Sequence, residues 1–356
     1  MRNGKMQVDL PFTRKDAAAD DGALPELLKL NDGTPVTDAA GWRLRRKEIL
    51  DLIIPMEYGG MPPALAPEQT TAELISSADA ARRFGGTETR VFAYKVHVAG
   101  GLTPLDFMLT LWLPAGEGPF PVIVNGDGCW SYLNDASAGE LLRRGFAVAS
   151  FNRCEVARDW NNARDCGIYT AFPGEYGALS AWAWAYHRVY DALLSIPEID
   201  SAKFVITGHS RGGKTVELAA ATDERIAAVG GNNSGCGGFG CFRVRGKGCE
   251  RIADITRYFP FWFDKDFASW AGREGELPFD QHFLCALIAP RPHLIAVAFD
   301  DTWSNPVGAC EIYRGTVDVY KLLGAEDNLG IVFREGGHAH EVGDWIRFAD
   351  FAKARM

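Results

Sequence analysis

A serine between two glycines is the first feature of this sequence that could do chemistry. In the segment VITGHSRGGK, residues 205–214, Ser210 occupies a Gly-X-Ser-X-Gly pattern that follows an apolar run and precedes a helical pattern. A nucleophile elbow requires small residues on both sides of the serine, because its strained strand-to-helix turn leaves no room for nearby Cβ atoms. An ordinary Gly-Ser turn is the alternative, but it requires neither the strand nor the helix. The segment therefore predicts that Ser210 is a nucleophile.

A serine hydroxyl needs a base within hydrogen-bond reach, and that base needs an acid to orient it. In α/β-hydrolases the chain order is serine, acid, histidine. The segment GIVFREGGHAH contains His338 in the loop after the last predicted strand, with His340 as a rival two residues later. The preceding predicted strand, in HLIAVAFDDTWSNP, is followed by Asp300 and Asp301. The sequence thus predicts a triad of Ser210, a histidine and one of these aspartates.

Alternating strands and helices from about residue 120 onward would position these side chains. The predicted strands are PVIV, FAVASF, KFVITG, IAAVGG, HLIAVAF and GIVFRE, and helical patterns lie between most of them. Strands separated by helices imply a parallel sheet that is covered on both faces. We therefore expect an α/β-hydrolase fold, a three-layer sandwich around a central, mostly parallel sheet.

The part of the chain before residue 120 has a different pattern. Residues 1–38 are polar and predict an N-terminal arm, and apolar residues at helical spacing over 41–60 predict a helix. Within residues 70–114, TRVFAYKVHVAG and PLDFMLTLWLP alternate apolar and polar residues across a Gly-Gly turn, which predicts an antiparallel hairpin. We expect one catalytic domain over residues 39–356.

Composition excludes several classes of protein. The 356 residues are 47% hydrophobic and 23% charged, which is typical of a globular protein and not of a disordered one. The net charge of −9 argues against nucleic acid or an anionic membrane as partner, because a phosphate surface attracts a clustered positive field. No apolar run has the roughly 18 residues that a membrane span needs. We expect a monomer whose partner is a small-molecule or oligosaccharide substrate.

The start of the chain has no apolar segment typical of a secretion signal. The sequence as it stands predicts a cytoplasmic protein, or a secreted or periplasmic one if a leader has been removed. Eight cysteines without a CxxC pair predict free thiols or one loop disulfide, because the spacing of Cys236, Cys241 and Cys249 matches no standard zinc pattern. We expect neither a metal nor a cofactor, since triad chemistry needs none.

Several segments together resemble the glucuronoyl esterases, carbohydrate esterase family 15. They read GHSRGGK at 208–214, NNSGCGG at 232–238, LPFDQHFLCALIAPRP at 277–292, DDTWSNP at 300–306 and GGHAHEVGDW at 336–345. With the YGGMPP region, the resemblance spans about residues 40–355. The extension of Gly-X-Ser by Arg-X-Gly-Lys is much more specific than the elbow pattern alone.

The resemblance implies a role for one residue in each of several motifs. It assigns the nucleophile to Ser210, the arginine that stabilises the oxyanion to Arg211, a lysine that binds a substrate hydroxyl to Lys214, a substrate-facing tryptophan to Trp303 and the base to His338. The chemistry suits these roles, because the Arg211 backbone N–H follows the nucleophile and Lys214 lies one helical turn beyond it. A solvated charge pair and a core tryptophan are the alternative interpretations.

The sequence departs from the family pattern at two positions. Many members carry a glutamate 23 residues after the nucleophile, which corresponds to Asn233 here, and an amide cannot stabilise an imidazolium. Some bacterial members use an aspartate two residues before the tryptophan, so the resemblance favours Asp301 as the acid, with Asp300 in reserve. In GKGCERI, residues 246–252, Lys247 corresponds to a substrate-binding glutamate of bacterial relatives.

The function that the resemblance implies is hydrolysis of esters of 4-O-methylglucuronic acid, as in the links between glucuronoxylan and lignin. An acetyl esterase or another carbohydrate esterase on the same scaffold is the nearest alternative. A noncatalytic carbohydrate-binding protein is a further alternative, because the usual glutamate is absent at Asn233.

Overall fold

A central sheet organises the chain. The computed structural model describes residues 10–86, 88–161 and 163–356, so the first nine residues of the predicted arm lie outside it. Within the described residues the strands are β1 (Ala19–Asp20), β2 (Thr70–Asp79), β3 (Arg90–Val98), β4 (Leu105–Leu113), β5 (Phe120–Asn125), β6 (Ala147–Phe151), β7 (Ile199–His209), β8 (Ala228–Asn232), β9 (Val244–Arg245), β10 (His293–Ala298) and β11 (Leu329–Arg334). Nine of these form one sheet in the order β11-β10-β8-β7-β5-β6-β4-β3-β2.

The sheet has an antiparallel part and a parallel part. β3 and β4 pair along their whole length, with Arg90 opposite Leu113 and Val98 opposite Leu105. The predicted hairpin is thereby confirmed, and β2 adds a third antiparallel strand at the sheet edge. β5, β6, β7, β8, β10 and β11 pair in parallel, which confirms the mostly parallel sheet.

Helices cover both faces of this sheet. They are α1 (Ala39–Tyr58), α2 (Asp135–Arg143), α3 (Arg153–Val156), α4 (Ile168–Ala171), α5 (Ala178–Leu193), α6 (Arg211–Thr222), α7 (Ile252–Tyr258), α8 (His282–Ala286), α9 (Pro306–Leu322) and α10 (Val342–Lys353). In β5, Val122 and Val124 pack into the core with α5 and α6, whereas Ile123 packs into a second core with α2 and α10. Because successive side chains of a strand point to opposite faces, both faces of the parallel strands are apolar and buried.

The described part of the predicted arm, residues 10–38, packs against the rest of the chain. β1 pairs antiparallel with β9, with Ala19 opposite Arg245, and Leu27 and Val36 are buried in the main core. The Arg14 guanidinium pairs with the Glu311 carboxylate of α9 at 2.9 Å. These residues therefore contribute to the same core and sheet contacts as the later parts of the chain.

The structure bears on two expectations from the sequence, the state of the cysteines and the absence of a membrane-spanning segment. All eight cysteines are free thiols, in agreement with the first of the two cysteine states that the spacing predicts. Among the described residues, no helix combines the length and the apolar content that a membrane crossing requires.

Gly59 ends α1 in the left-handed region, at φ 71°, and a Cβ there would lie 2.8 Å from the Glu175 carbonyl oxygen. Gly145 also follows a helix with a positive φ, 82°, but a Cβ there would meet no atom within 4 Å. We predict that Gly145→Ala costs about 1 kcal/mol of unfolding free energy and that Gly59→Ala costs at least about 1 kcal/mol more. Urea denaturation measures both, and equal losses would contradict the clash.

Candidate active site

Ser210 lies at a sharp turn between β7 and α6. Its backbone has φ 56° and ψ −119°, a region that non-glycine residues rarely adopt. A Cβ on Gly208 would lie 2.3 Å from the Gly212 carbonyl oxygen, and a Cβ on Gly212 would lie 2.1 Å from Oδ1 of Asp127. Both glycines are therefore required by close approach, as the elbow interpretation predicts, and the serine is lifted out of the strand at the start of a helix.

The Asp127 side chain packs against this turn and accepts a hydrogen bond from it. Its carboxylate is fully buried, and Oδ2 accepts a hydrogen bond from the His209 backbone N–H at 3.0 Å. Oδ1 accepts from the guanidinium of Arg153, which is also fully buried and lies 5.0 Å from the Trp182 ring centroid. Burial lowers the pKa of Arg153, but the Asp127 carboxylate together with Cys129, Cys154 and Tyr186 raises that pKa above its ordinary value. The elbow thus depends on a buried ion pair.

His338 and Asp301 form a hydrogen-bonded pair beside the elbow. The His338 Nδ1 lies 2.6 Å from Oδ2 of Asp301, and the same oxygen accepts from the Ser304 hydroxyl at 2.5 Å. Burial raises the pKa of Asp301, but the bonds from His338 and Ser304 more than offset this and hold the pKa below its ordinary value. The carboxylate is buried, whereas the imidazole is 41% exposed. Nε2 of His338 is therefore left for a second partner.

Two other histidines pack beside His338. The His209 ring lies 4.5 Å from the His338 ring, and its Nδ1 donates to the Asn232 side-chain oxygen at 2.6 Å. Burial, with the nearby His338, lowers the pKa of His209 to about 4. His340 is buried and stacks on Trp345 at 4.2 Å. The structure brings His338, and not its rival His340, to the aspartate.

The two alternative positions for the acid have different surroundings. The Asp300 side chain is exposed, and its backbone N–H donates to the Gly336 carbonyl. Asn233 is buried in the left-handed region at φ 45°, and its side-chain oxygen accepts from the Ala298 N–H at 2.8 Å. Its amide therefore links the ends of β8 and β10 and supplies no charge. The role of Asp301 as the acid stays a prediction, and this geometry is compatible with it.

An aromatic cage surrounds the Arg211 guanidinium. Its Cζ lies 4.9 Å from the Trp130 ring, 5.0 Å from Phe259 and 4.8 Å from Trp262. Nη1 donates to Oδ2 of Asp159 at 2.6 Å, and Oδ1 of the same carboxylate accepts from the Trp262 indole N–H at 2.9 Å. These contacts hold the guanidinium in one orientation, which a role as oxyanion donor would require.

Lys214 is buried one turn along α6, where its ammonium donates to the Ser234 carbonyl and lies 3.6 Å from the Glu250 carboxylate. The Glu250 backbone N–H donates to the Trp303 carbonyl at 2.9 Å, and burial raises the pKa of the Glu250 carboxyl despite the lysine. Trp303 is 45% exposed. Lys214 and Glu250 thus form a buried charge pair next to the half-exposed indole of Trp303. Lys247 is exposed, and the charged group of this loop that contacts Lys214 is Glu250.

Sequence reasoning missed Asp159 and Glu250. Glu250 had a usable signal, because it is a lone carboxylate in the same Gly- and Cys-rich loop as Lys247. Asp159 had none, because its two partners, Arg211 and Trp262, are distant from it in the chain. No pattern of spacing within one segment could have connected them.

Comparison with known proteins places this geometry in a family context. Residues 96–324, more than half of the chain, match the family described as glucuronyl esterase, fungi. A 4-O-methyl-glucuronoyl methylesterase of Phanerochaete chrysosporium is 30% identical, and the match covers 89% of this chain and 66% of that protein. The chain thus spans slightly less than two thirds of the length of this relative.

Solved structures of glucuronoyl esterases are also similar to this chain. A glucuronoyl esterase from Solibacter usitatus superposes with a TM-score of 0.84 at 29% identity, over 95% of this chain and 99% of that one. A glucuronoyl esterase from Sporotrichum thermophile, solved in complex with methyl 4-O-methyl-β-D-glucopyranuronate, has a TM-score of 0.73 at 25% identity, over 94% and 85% of the two chains. These neighbours bear out the expected α/β-hydrolase fold.

The buried ion pair below the elbow yields a stability prediction. Asp127→Asn keeps the shape of the side chain but leaves the buried Arg153 without a counter-charge, which costs about 3 kcal/mol or more. Asp318→Asn is the matched control, since Asp318 pairs with Lys321 at 3.0 Å on the surface and is expected to cost less than about 0.5 kcal/mol. Unfolding free energies from urea titration measure both. Similar small losses would show that the pair does not support the elbow.

Proposed function

The chain belongs to the glucuronoyl esterase family of carboxylic ester hydrolases, and we propose that it cleaves esters of glucuronic or 4-O-methylglucuronic acid, as found between glucuronoxylan and lignin. The observation that carries the proposal is the 2.6 Å bond between His338 and Asp301 beside the strained Ser210. This pair is the arrangement that activates a serine for acyl transfer. The names of the relatives supply the class of acid.

The proposed reaction has two halves. The Ser210 hydroxyl attacks the ester carbonyl while His338 takes its proton, and Asp301 stabilises the imidazolium that forms. The negative charge on the carbonyl oxygen is met by the backbone N–H and guanidinium of Arg211. Collapse breaks the bond to the alcohol, whose oxygen takes the proton from His338. Water then attacks the acyl-enzyme by the same route and releases the uronic acid and free Ser210.

The sugar would be recognised one turn further along the same face of α6. We propose that Lys214 and Glu250 bind hydroxyls of the uronate ring and that Trp303 packs against its face. The buried, charged character of the lysine and the half-exposed indole support these roles. Lys247 remains a candidate only for the rim of the site, because its side chain is exposed. We propose that no metal or cofactor takes part, because each step has a protein group or water to carry it.

The substrate class can be tested against the nearest alternative. We predict that the protein hydrolyses methyl and benzyl esters of glucuronic acid much faster than an acetylated sugar, because Lys214 and Glu250 would bind the hydroxyls of the uronate ring beside its ester. Initial rates by titration of released acid measure the difference, with Ser210→Ala as the inactive control, expected to lose about 10⁶-fold in kcat. Preference for the acetyl ester would assign the site to an acetyl esterase. Binding of the sugar without turnover would instead indicate a noncatalytic protein.

The acid can be tested with adjacent residues as a matched pair. We predict that Asp301→Asn lowers kcat by about 10⁴-fold, since the amide neither carries the charge nor selects the correct tautomer of His338. Asp300→Asn removes the same charge from the adjacent residue, whose side chain is exposed, and this variant is expected to retain nearly the wild-type kcat. Thermal unfolding of both variants checks that the fold is intact. A wild-type rate for Asp301→Asn would assign another carboxylate to His338.

A further inference from the structure

A cavity of about 260 Å³ adjoins the aromatic cage of Arg211. Its lining includes Arg158 and Trp160, which flank Asp159, the carboxylate that holds the arginine. Phe261 and Lys265 also line it. Phe261 precedes Trp262 and contacts the Trp262 ring edge-on at 6.3 Å. The cavity is therefore lined by direct chain neighbours of residues that hold the Arg211 guanidinium.

The cavity is positively charged although the protein is acidic. Arg158, Arg164 and Lys265 line it, and no carboxylate does, whereas the whole chain has a net charge of −9. In the described part of the chain, Arg158 and Lys265 have no carboxylate within ion-pair distance. Arg164 is fixed by bonds to backbone carbonyls of residues 174–176 and lies 4.5 Å from the Tyr169 ring centroid. A cluster of this kind attracts an anion.

The cavity also presents flat apolar surface. Trp160 is 74% exposed, the highest exposure among the described tryptophans, and Phe261 is half-buried beside it. An indole with one face in solvent suits the apolar face of a sugar ring or an aromatic ring. The volume lies below the roughly 300–1,000 Å³ of pockets for drug-sized ligands, so it fits a single ring.

We propose that this cavity binds a second, unesterified uronate of the same acidic saccharide that carries the ester at Ser210. The carboxylate would pair with Arg158 and Lys265 while the pyranose ring packs on Trp160. A neutral aromatic alcohol would use the indole but leave both cations without a partner, so charge complementarity favours the uronate. The inference rests on the proposed function for the identity of the ester, and it extends the substrate class to saccharides with more than one acidic sugar.

The test compares two substrates in three proteins. One substrate is methyl glucuronate, and the other is a xylo-oligosaccharide with two glucuronate groups, one as methyl ester and one as free acid. The variant is Arg158→Ala/Lys265→Ala. Its control, Lys203→Ala/Lys321→Ala, removes two exposed lysines. Lys203 lies in the first half of β7, whereas Ser210 follows the end of that strand, so the two residues are distant from each other.

We expect the variant to lose about tenfold in kcat/KM on the two-uronate substrate and to match wild type on methyl glucuronate. Salt at 1 M should remove most of the preference of the wild-type protein for the two-uronate substrate over methyl glucuronate, because the Arg158 and Lys265 side chains are exposed to solvent. The control should behave as wild type. An unchanged variant, or an equal loss on both substrates, would overturn the proposal. In a separate assay with benzyl glucuronate, a loss by the variant confined to that ester would assign the cavity to the alcohol and also overturn the proposal.

Failure of the proposed function is distinguished by a binding measurement. If no ester is hydrolysed, titration calorimetry with the oligosaccharide in which both uronates are free acids tests the cavity directly. Weaker binding by Arg158→Ala/Lys265→Ala than by the control supports the acidic-saccharide site. Equal binding overturns it.

Discussion

The Asp127 carboxylate joins the three chain segments on which the candidate site depends. One of its oxygens accepts from the elbow at His209, the other pairs with Arg153 after β6, and Gly212 packs against it too closely for any side chain. A buried ion pair is weak evidence for stability, because desolvation offsets much of the attraction. Here the ion pair matters because it fixes positions. It fixes where the β5 loop, the β6 loop and the elbow lie relative to one another, and it leaves no freedom for Ser210 to relax into an ordinary turn.

The remaining groups come from one edge of the sheet. In a parallel sheet the carboxyl ends of all strands lie at the same edge, so loops after neighbouring strands meet there. Ser210 follows β7, Asp301 follows β10 and His338 follows β11. The Ser304 hydroxyl bonds both Asp301 and the Asn233 carbonyl after β8, which ties adjacent loops together. Arg211 needs a separate support because it lies at a helix start, and the aromatic cage with Asp159 provides it.

The sequence predicted what local patterns encode. Strand order in the chain, the elbow glycines and the residues after each strand are read from single segments, and the structure has all of them. Contacts between distant segments were not predictable: the Asp159 bond to Arg211 joins residues 52 positions apart, and the pairing of β1 with β9 joins segments even further apart. Glu250 was missed for a different reason, because matching a motif by position favoured Lys247 and ignored which side chain the loop buries.

The surroundings of Asn233 bear on how the triad carboxylate could follow either β8 or β10 while the rest of the site stays the same. β8 and β10 are adjacent and parallel, and Asn232 lies opposite Ala296, so the loops after both strands start at nearly the same level. Side chains after the two strands therefore start from neighbouring positions at this edge of the sheet. Here the side chain at 233 is an amide that bonds the backbone of Ala298, which holds the start of the loop that carries Asp301. Asn233, at the position where the family resemblance implies a glutamate, instead stabilises the strand end from which, on our proposal, the charge is supplied.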